Sequence, residues 1–413
     1  MQLKTILKSK VVIIILLQIF SKITGVLREI ILLNFFQGSK IFADFLKLET
    51  YSQLISIFYT ESGLSANLMK KFSIINRRSL SFNKIKKQSV IIATIIFFSV
   101  FVIQYIANKI VIRSEYNFLP LIFFNALASS LVFYFNIGQI VLLSKSNYSN
   151  LYKSNFFRAL LYIILLYPLI KAFSLLGAVL NRLISVSFQY FNTWYAVKDK
   201  HQENHDKISF SIKDFNLWVF FSNNSLFLWY LILRIYFSFI EGDDIIFLTY
   251  GFVFASAFDG IIIKSFSTFI LERSLNHNIN LKKTILKIVV FSVITIIISY
   301  FFSENIFHLI FGKYGSFETH KIKQINSYFI VLLILVLSNG INNLVFQKVF
   351  AKRRNIQFKY SKIYISTNLF FYFIIVIISF YLDQKLNMVI AITFFTFVIN
   401  FYFVTKILKI ENV

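Results

Sequence analysis

Apolar segments long enough to cross a membrane recur from one end of the chain to the other. Examples are "VVIIILLQIF" at 11–20 and "FFYFIIVIISFYL" at 370–382. Since about 20 apolar residues are needed to cross about 30 Å of hydrocarbon, such runs define twelve windows, centred near residues 22, 56, 100, 131, 163, 185, 227, 257, 294, 336, 371 and 398. With 57% apolar and 15% charged residues, the chain is expected to be an all-α polytopic membrane protein with about twelve transmembrane helices. The first window is expected to be a span rather than a signal peptide, because charges and no small-residue cleavage site follow it.

Positive charge is concentrated in alternate loops. The net charge is +25, and basic segments such as "KKFSIINRRSLSFNKIKK" follow span 2, whereas the acidic "EGDD" lies between spans 7 and 8. The positive-inside rule then predicts that both termini are cytoplasmic. The basic loops are expected to contact anionic membrane lipids, and no nucleic-acid partner is expected.

One long polar segment divides the chain into two sets of six spans. It is "KDKHQENHDKISFSIKDFN" at 198–216. We therefore predict an N-terminal lobe over 1–197 with spans 1–6, a cytoplasmic linker over 198–215, and a C-terminal lobe over 216–413 with spans 7–12. A faint repeat, "LREIILLNFFQGSKIFADF" at 27–45 and "LRIYFSFIEGDDIIFLTY" at 233–250, fits a transporter made of two similar lobes.

Ionisable residues inside the predicted spans are the candidate functional groups. They are Lys22, Arg28, Glu29, Asp44, Lys47, Glu49, Glu61, Arg182, Arg234, Asp259 and Lys264. A charge at the bilayer centre costs at least about 2.5–3.5 kcal/mol, so these side chains are expected to face a wet cavity or one another. The alternative for Lys22, Asp44 and Lys47 is that they lie near the membrane surfaces and extend toward water.

Helical spacing groups several of these residues with other polar ones. Glu49, Gln53 and Ser56 recur at steps of four and three in span 2, so they share one face of an apolar helix. In span 1, Lys22, Gly25 and Glu29 share a face, whereas Arg28 lies about 100° round the helix and could point at a neighbouring helix. The cluster "SNGINN" at 338–343 either belongs to a lumen or joins helices by hydrogen bonds, and the sequence leaves both open.

Several classes of chemistry have no sequence signal. The chain has no cysteine, so a thiolate metal site and a cysteine nucleophile are excluded. A Gly-rich phosphate loop ending in Lys-Ser or Lys-Thr is also missing, which argues against direct use of ATP. No enzyme activity, catalytic residue, metal or cofactor is therefore expected.

The segment "SKITGVLREIILLNFFQGSKIFADFLKLETYSQLISIFYTESGLSANL" at 21–68 resembles the start of the MurJ/MviN lipid II flippases, a family of the multidrug/oligosaccharidyl-lipid/polysaccharide (MOP) exporter superfamily. The family pattern has Ser-Arg, Gly-x-x-Arg-Asp, a Phe-Gly turn, Asp-Ala-Phe and Ala-Glu-Gly-Ala. The matching positions here are Ser21 and Lys22, Gly25 to Glu29, Gln37 and Gly38, Ala43 to Phe45, and Glu61 to Gly63. The segments "FLTYGFVFASAFDGIIIKSFSTFILERSL" at 247–275 and "NIFHLIFGKYGSFETHKIKQ" at 305–324 are also similar to family segments.

The resemblance implies two six-helix lobes in a V shape and alternating access. The implied activity is export of an undecaprenyl-pyrophosphate-linked sugar precursor, lipid II or an O-antigen or capsule repeat unit, from the inner to the outer leaflet of the bacterial cytoplasmic membrane. Pyrophosphate would be bound by Arg28, Lys22, Arg234, Arg182 and Lys264. Cavity or gating roles fall to Glu29, Asp44, Glu49, Gln53, Glu61 and Asp259, and hinge or close-packing roles to Gly25, Gly38 and Gly63.

The chain also departs from the family. Ile55 to Ile57 stand where the family has an Arg pair, Val253 stands where it has an Arg, and twelve spans replace fourteen, which favours a different envelope glycan over lipid II itself. The driving force stays open among membrane potential, Na⁺ or H⁺ coupling through Asp44, Glu49 or Asp259, and substrate supply. Envelope glycan-assembly enzymes are the expected protein partners. The alternatives are a MATE-like drug/cation antiporter, a membrane glycosyltransferase or polymerase, and a scaffold without transport.

Overall fold

The computed structural model describes most of the chain as long α-helices. The described residues are 20–21, 23–59, 82–144, 148–198, 218, 221–222, 224–240, 242–259, 263, 281–313, 317–350, 354–382 and 385–411. Within them lie twelve helices: α1 (23–36), α2 (Lys40–Tyr59), α3 (Phe82–Ala107), α4 (Leu119–Ser144), α5 (Tyr148–Phe173), α6 (Leu175–Lys198), α7 (Ser225–Phe239), α8 (Asp244–Asp259), α9 (Leu281–Phe307), α10 (Thr319–Phe350), α11 (Arg354–Leu382) and α12 (Lys385–Glu411). The all-α prediction with about twelve helices is confirmed.

Seven of the described helices are long and apolar enough to cross a membrane: α3, α4, α5, α9, α10, α11 and α12. The helix α7 is a shorter apolar helix. Large apolar side chains such as Phe98 on α3 and Phe301 on α9 are exposed, as expected for surfaces that contact lipid rather than water. The chain is a multi-pass membrane protein.

Helices six places apart along the chain have matching surroundings. The central windows of α4 and α10 are 72% and 67% buried, whereas those of α3 and α9 are 22% and 28% buried. Both α3 and α9 also end in a π-helical turn, Asn108–Ile112 and His308–Lys313 respectively. Each half of the chain therefore has one interior helix that follows one peripheral helix, which gives the faint sequence repeat a structural counterpart.

The chain forms two compact units. The first unit contains 1–28, 39–216 and 237–241, and the second unit contains 29–38, 217–236 and 242–413. Both α1 and α7 thus contribute one part to each unit. The predicted boundaries of the lobes at 197 and 216 stay predictions.

Each unit has its own apolar core. In the first unit, Val100, Phe133 and Trp194 belong to a buried cluster of α3, α4 and α6. In the second unit, Tyr364 and Phe403 belong to a buried cluster of α9, α10, α11 and α12. Burial of such side chains against one another leaves the polar groups described below with protein partners rather than lipid.

Two tight turns fix how consecutive helices meet. Between α1 and α2, Gly38 has φ +66°, a left-handed conformation that glycine adopts without strain. Between α5 and α6, Ser174 has φ +54°, and a Cβ on Gly177 would overlap the Leu169 carbonyl group. The start of α8 is joined to the start of α12 by an ion pair in which Lys385 Nζ lies 2.5 Å from Asp244 Oδ2.

Candidate functional site

Arg28 lies against a neighbouring helix in the first unit. Its guanidinium carbon is 5.3 Å from the centroid of the Tyr162 ring on α5, within the range of a cation–π interaction. Phe20 and Phe156 also meet, with ring centroids 4.8 Å apart. Because both contacts join the same two segments, the chain that leads into α1 runs along α5. Tyr162 is the residue of α5 that contacts the Arg28 guanidinium.

Arg182 joins three helices of the first unit. Its Nη1 lies 3.6 Å from Glu49 Oε1 on α2 and donates a hydrogen bond of 2.9 Å to Asn125 Oδ1 on α4. The neighbouring Asn181 donates a hydrogen bond of 2.8 Å to the Tyr162 carbonyl. Arg28 and the residue that precedes Arg182 therefore both contact Tyr162, so two of the five predicted pyrophosphate-binding residues lie at a similar height along α5.

The remaining described candidates on α2 are buried or half-buried. Asp44 is buried, and Lys47 is buried with its Nζ donating a 3.2 Å hydrogen bond to the Ile240 carbonyl. Gln53 is half-buried, like Glu49 one turn earlier. The neighbouring Tyr51 is buried, with its hydroxyl 2.8 Å from Ser238 Oγ. Glu49, Gln53 and Ser56 of the predicted polar face are all partly accessible, whereas the segment 42–48 of this helix is buried.

The second unit holds three other candidates. Arg234 is 1% exposed, and its guanidinium carbon is 5.5 Å from the Tyr230 ring centroid on the same helix. Glu29 and Asp259 are also buried. A Cβ on Gly340 would overlap Asp259 Oδ1, so the end of α8 packs closely on the "SNGINN" segment of α10. The assignment of these residues to pyrophosphate binding or gating stays a prediction.

The glycine predictions have different outcomes. Gly38 forms the α1–α2 turn described above, and a Cβ there would lie 3.5 Å from the Phe317 ring. A Cβ on Gly25 would meet nothing within 4 Å, so the structure gives Gly25 no close-packing role and its hinge role stays a prediction. Lys22, Glu61, Gly63 and Lys264 lie outside the described residues.

Sequence reasoning missed Arg158 as an intramembrane cation. It lies in the candidate span Lys153–Phe173, and its Nη1 donates a 2.8 Å hydrogen bond to Gln189 Oε1 on α6. The long apolar run "ALLYIILLYPL" begins directly after it, so the sequence window put Arg158 in the loop. Its spacing of four from Tyr162 was the signal that could have placed it on a helix face inside the membrane.

A second group of polar residues fills the interior of the second unit. We call it the amide cluster; it contains Ser225, Ser338, Asn339, Asn342, Tyr364, Asn368 and Asn400. Ser225 Oγ donates to Asn339 Oδ1 at 2.8 Å, Tyr364 Oη donates to Asn400 Oδ1 at 2.8 Å, and Asn400 Nδ2 donates to Ser338 Oγ at 3.3 Å. The sequence identified its α10 members, and the structure favours the hydrogen-bonding alternative for them.

Comparison with solved structures identifies the fold. The structure of the lipid II flippase MurJ in an inward closed conformation aligns with a TM-score of 0.71 at 17% identity, over 96% of this chain and 87% of that chain. A multidrug resistance MATE family transporter of the MOP superfamily in an outward-facing conformation aligns with a TM-score of 0.55 at 12% identity, over 95% of this chain and 98% of that chain. MATE in complex with MaL6 gives 0.56 at 13% identity, over 98% and 97%.

The chain therefore shares its fold with the MurJ and MATE structures. The resemblance to MurJ inferred from the sequence is confirmed at the level of the fold. No protein-family model and no curated protein matches the sequence.

Proposed function

We propose that this protein is a flippase that moves an undecaprenyl-pyrophosphate-linked sugar precursor from the inner to the outer leaflet of a bacterial cytoplasmic membrane. The observation that carries the proposal is the TM-score of 0.71 with a protein named as a lipid II flippase, against 0.55 and 0.56 for the two MATE structures. The cargo is lipid II or an O-antigen or capsule repeat unit. The chain acts as a transporter and not as an enzyme.

The chemistry of the first unit suits a diphosphate headgroup. Arg28 and Asn181, the residue before Arg182, contact the same residue of α5, Tyr162, and the side chains of Arg28 and Arg182 are only partly buried. Arginine offers paired donors to phosphate oxygens, and its charge offsets the desolvation of a dianion. Ionisable residues inside membrane spans commonly mark the path of a substrate or ion, so these arginines support an anionic cargo.

The proposal also covers the transport movement, the coupling ion, the topology and the partners. Rocking of one set of helices against the other would carry the headgroup across, while the prenyl chain stays in lipid. Asp44, Glu49 and Asp259 are the candidates for Na⁺ or H⁺ coupling, and both termini lie in the cytoplasm. Membrane lipids and envelope glycan-assembly enzymes are the proposed partners.

Complementation tests the proposal. The chain is expressed in one strain depleted of its lipid II flippase and in another that lacks an O-unit flippase, and we expect rescue of one of them. Arg28→Gln and Arg182→Gln should each abolish rescue at equal protein level, whereas Lys171→Gln, which removes an exposed cation at the end of α5, should not. Rescue of neither strain, or full rescue by both arginine variants, contradicts the proposal.

A drug/cation antiporter is the second candidate, favoured by the MATE structures that align with up to 98% of the chain. It requires a carboxylate that meets a cationic drug, and Glu49 is a partly accessible carboxylate within a predicted span of the first unit. If the chain raised resistance to cationic dyes, and Glu49→Gln removed that resistance while Arg28→Gln did not, this candidate would replace the flippase.

A further inference from the structure

Arg158 lies on a face of α5 that is packed against protein. Phe157, Leu160 and Ile164 on the same helix are 47%, 38% and 60% exposed, and they mark the face of α5 that meets lipid. Arg158 and Tyr162 are both less exposed, and at a spacing of four they share another face, one helical turn or about 6 Å apart. Arg158, an arginine inside a span, thus lies one helical turn from Tyr162, which contacts Arg28.

A chain of amide groups from three helices holds the Arg158 guanidinium. Gln189 on α6, which accepts the hydrogen bond from Arg158, is 1% exposed. Its Nε2 donates to Asn155 Oδ1 on α5 in a short hydrogen bond, and Gln139 Nε2 on α4 donates to the same oxygen at 3.1 Å. Ser154 Oγ also lies 3.4 Å from the Gln189 carbonyl oxygen. Three helices therefore fix the position of one guanidinium nitrogen.

Such a chain orients the guanidinium group. Amide groups carry fixed dipoles, so the Gln139–Asn155–Gln189 chain stabilises one geometry of Arg158. The contact to this chain is made by Nη1. Preorganised arginine is well suited to bidentate recognition of phosphate.

We propose that Arg158, positioned by Gln189, is a further anion-binding residue that contacts the pyrophosphate of the lipid-linked cargo. It lies one helical turn from Tyr162, the residue of α5 that contacts Arg28. This proposal rests on the proposed function. Arg158 and Tyr162, which contacts Arg28, are one helical turn or about 6 Å apart along α5, so the diphosphate can contact one arginine before it leaves the other. The barrier between two positions at different depths in the membrane is thereby lowered, which a single cation could not do.

Binding of undecaprenyl pyrophosphate tests the proposal directly. Its affinity for the full-length chain is measured in detergent by native mass spectrometry, with undecaprenol as the phosphate-free lipid and inorganic pyrophosphate as the lipid-free anion. Arg158→Gln should weaken binding of undecaprenyl pyrophosphate by about tenfold or more and leave undecaprenol unchanged. Gln189→Leu, which keeps the charge and removes the support, should weaken it by about threefold.

Lys153→Gln is the matched control, because it removes the same charge from an exposed position on the same helix. Its affinity for undecaprenyl pyrophosphate should stay within about twofold of the parent. Monodispersity and thermal unfolding are measured for every variant. If Arg158→Gln does not fold, Arg158→Lys decides, since it keeps the charge and loses the paired donors: a loss of about threefold is expected, and parental affinity overturns the proposal.

The outcomes separate the two proposals. If Arg158→Gln binds like the parent while Arg28→Gln is weakened, the role of Arg158 is wrong and the proposed function stands. If the parent binds undecaprenyl pyrophosphate no more tightly than undecaprenol, the proposed function fails with it. If inorganic pyrophosphate binds as tightly as the lipid, the residue recognises a free anion and the lipid-linked cargo is wrong.

Discussion

At the scale of single residues, the amide cluster shows how neutral groups can join four helices. Asn400 on α12 accepts a hydrogen bond from Tyr364 on α11 and donates one to Ser338 on α10, while Ser225 on α7 bonds to Asn339. Hydrocarbon offers these groups no alternative partner. Their bonds therefore hold the second unit together more than their small individual energies suggest.

Replacing Asn400 should destabilise the protein measurably. Asn400→Leu leaves the Tyr364 hydroxyl and Ser338 without their partner, at an expected cost of about 1–2 kcal/mol in the free energy of unfolding. Thr405→Ala on the same helix is the control: its hydroxyl bonds to the Tyr402 carbonyl within α12, so it should cost less than about 0.5 kcal/mol. Denaturant unfolding in detergent measures both, and equal values would contradict the role of the cluster.

Single residues were predictable by type but not by partner. The sequence identified Arg28, Arg182 and Glu49 as ionisable residues inside predicted spans, because a charge within an apolar window is conspicuous. It could not pair Glu49 with Arg182 or place Asn125 beside them, since these contacts depend on the rotation of three helices. Arg158 was missed because the boundary of a hydropathy window is uncertain by several residues, and the packing that retains Arg158 inside the membrane leaves no local signal.

At the scale of elements, glycine sets how closely α8 and α10 approach. A Cβ on Gly251 would lie 2.9 Å from both Phe329 N and Tyr328 Cβ on α10, and Gly340 lies against the far end of α8. Small residues at such positions let helix backbones pack closely in a membrane. The helices themselves were predictable, because length and hydropathy decide them locally; this contact was not, because the glycines carry no sign of what they face.

Alanine at two glycines should therefore have opposite effects. Gly251→Ala forces α8 and α10 apart and should cost about 1–3 kcal/mol. Gly25→Ala introduces a Cβ into open space and should leave stability unchanged or raise it by up to about 1 kcal/mol, because alanine favours the helix. Thermal unfolding of the purified variants checks the sign, and destabilisation by Gly25→Ala would mean that this position is packed.

At the scale of the molecule, the chain shows both an internal repeat of helices and a division into two compact units. The interior helices α4 and α10 are six places apart, as are α3 and α9 with their π-helical ends. The faint sequence repeat at 27–45 and 233–250 was enough to predict two similar halves, because hydropathy and helix order persist where side chains diverge. It did not predict that α1 and α7 each contribute to both units, because a helix that serves two units is as apolar as one that serves only one.

The orientation of the chain can be read with introduced thiols, since the sequence has no cysteine. Glu115→Cys and Glu318→Cys lie in loops that the positive-inside rule puts outside, and Asn204→Cys lies in the predicted cytoplasmic linker. In intact spheroplasts, a membrane-impermeant maleimide should label the first two thiols, and Asn204→Cys only after lysis. If Asn204→Cys were the only variant labelled before lysis, the topology would be the reverse of the predicted one.

The neutrality of the amide cluster has an electrical consequence. A membrane potential does work only on net charge, about 2.3 kcal/mol per elementary charge for each 100 mV, so it exerts no net force on a group of amides and hydroxyls. Under the proposed function, any current that accompanies a transport cycle would be carried by ionised side chains such as Arg28, Arg158, Arg182 and Glu49, by the diphosphate and by any coupled ion. The amide cluster itself is therefore silent to voltage, however far it moves.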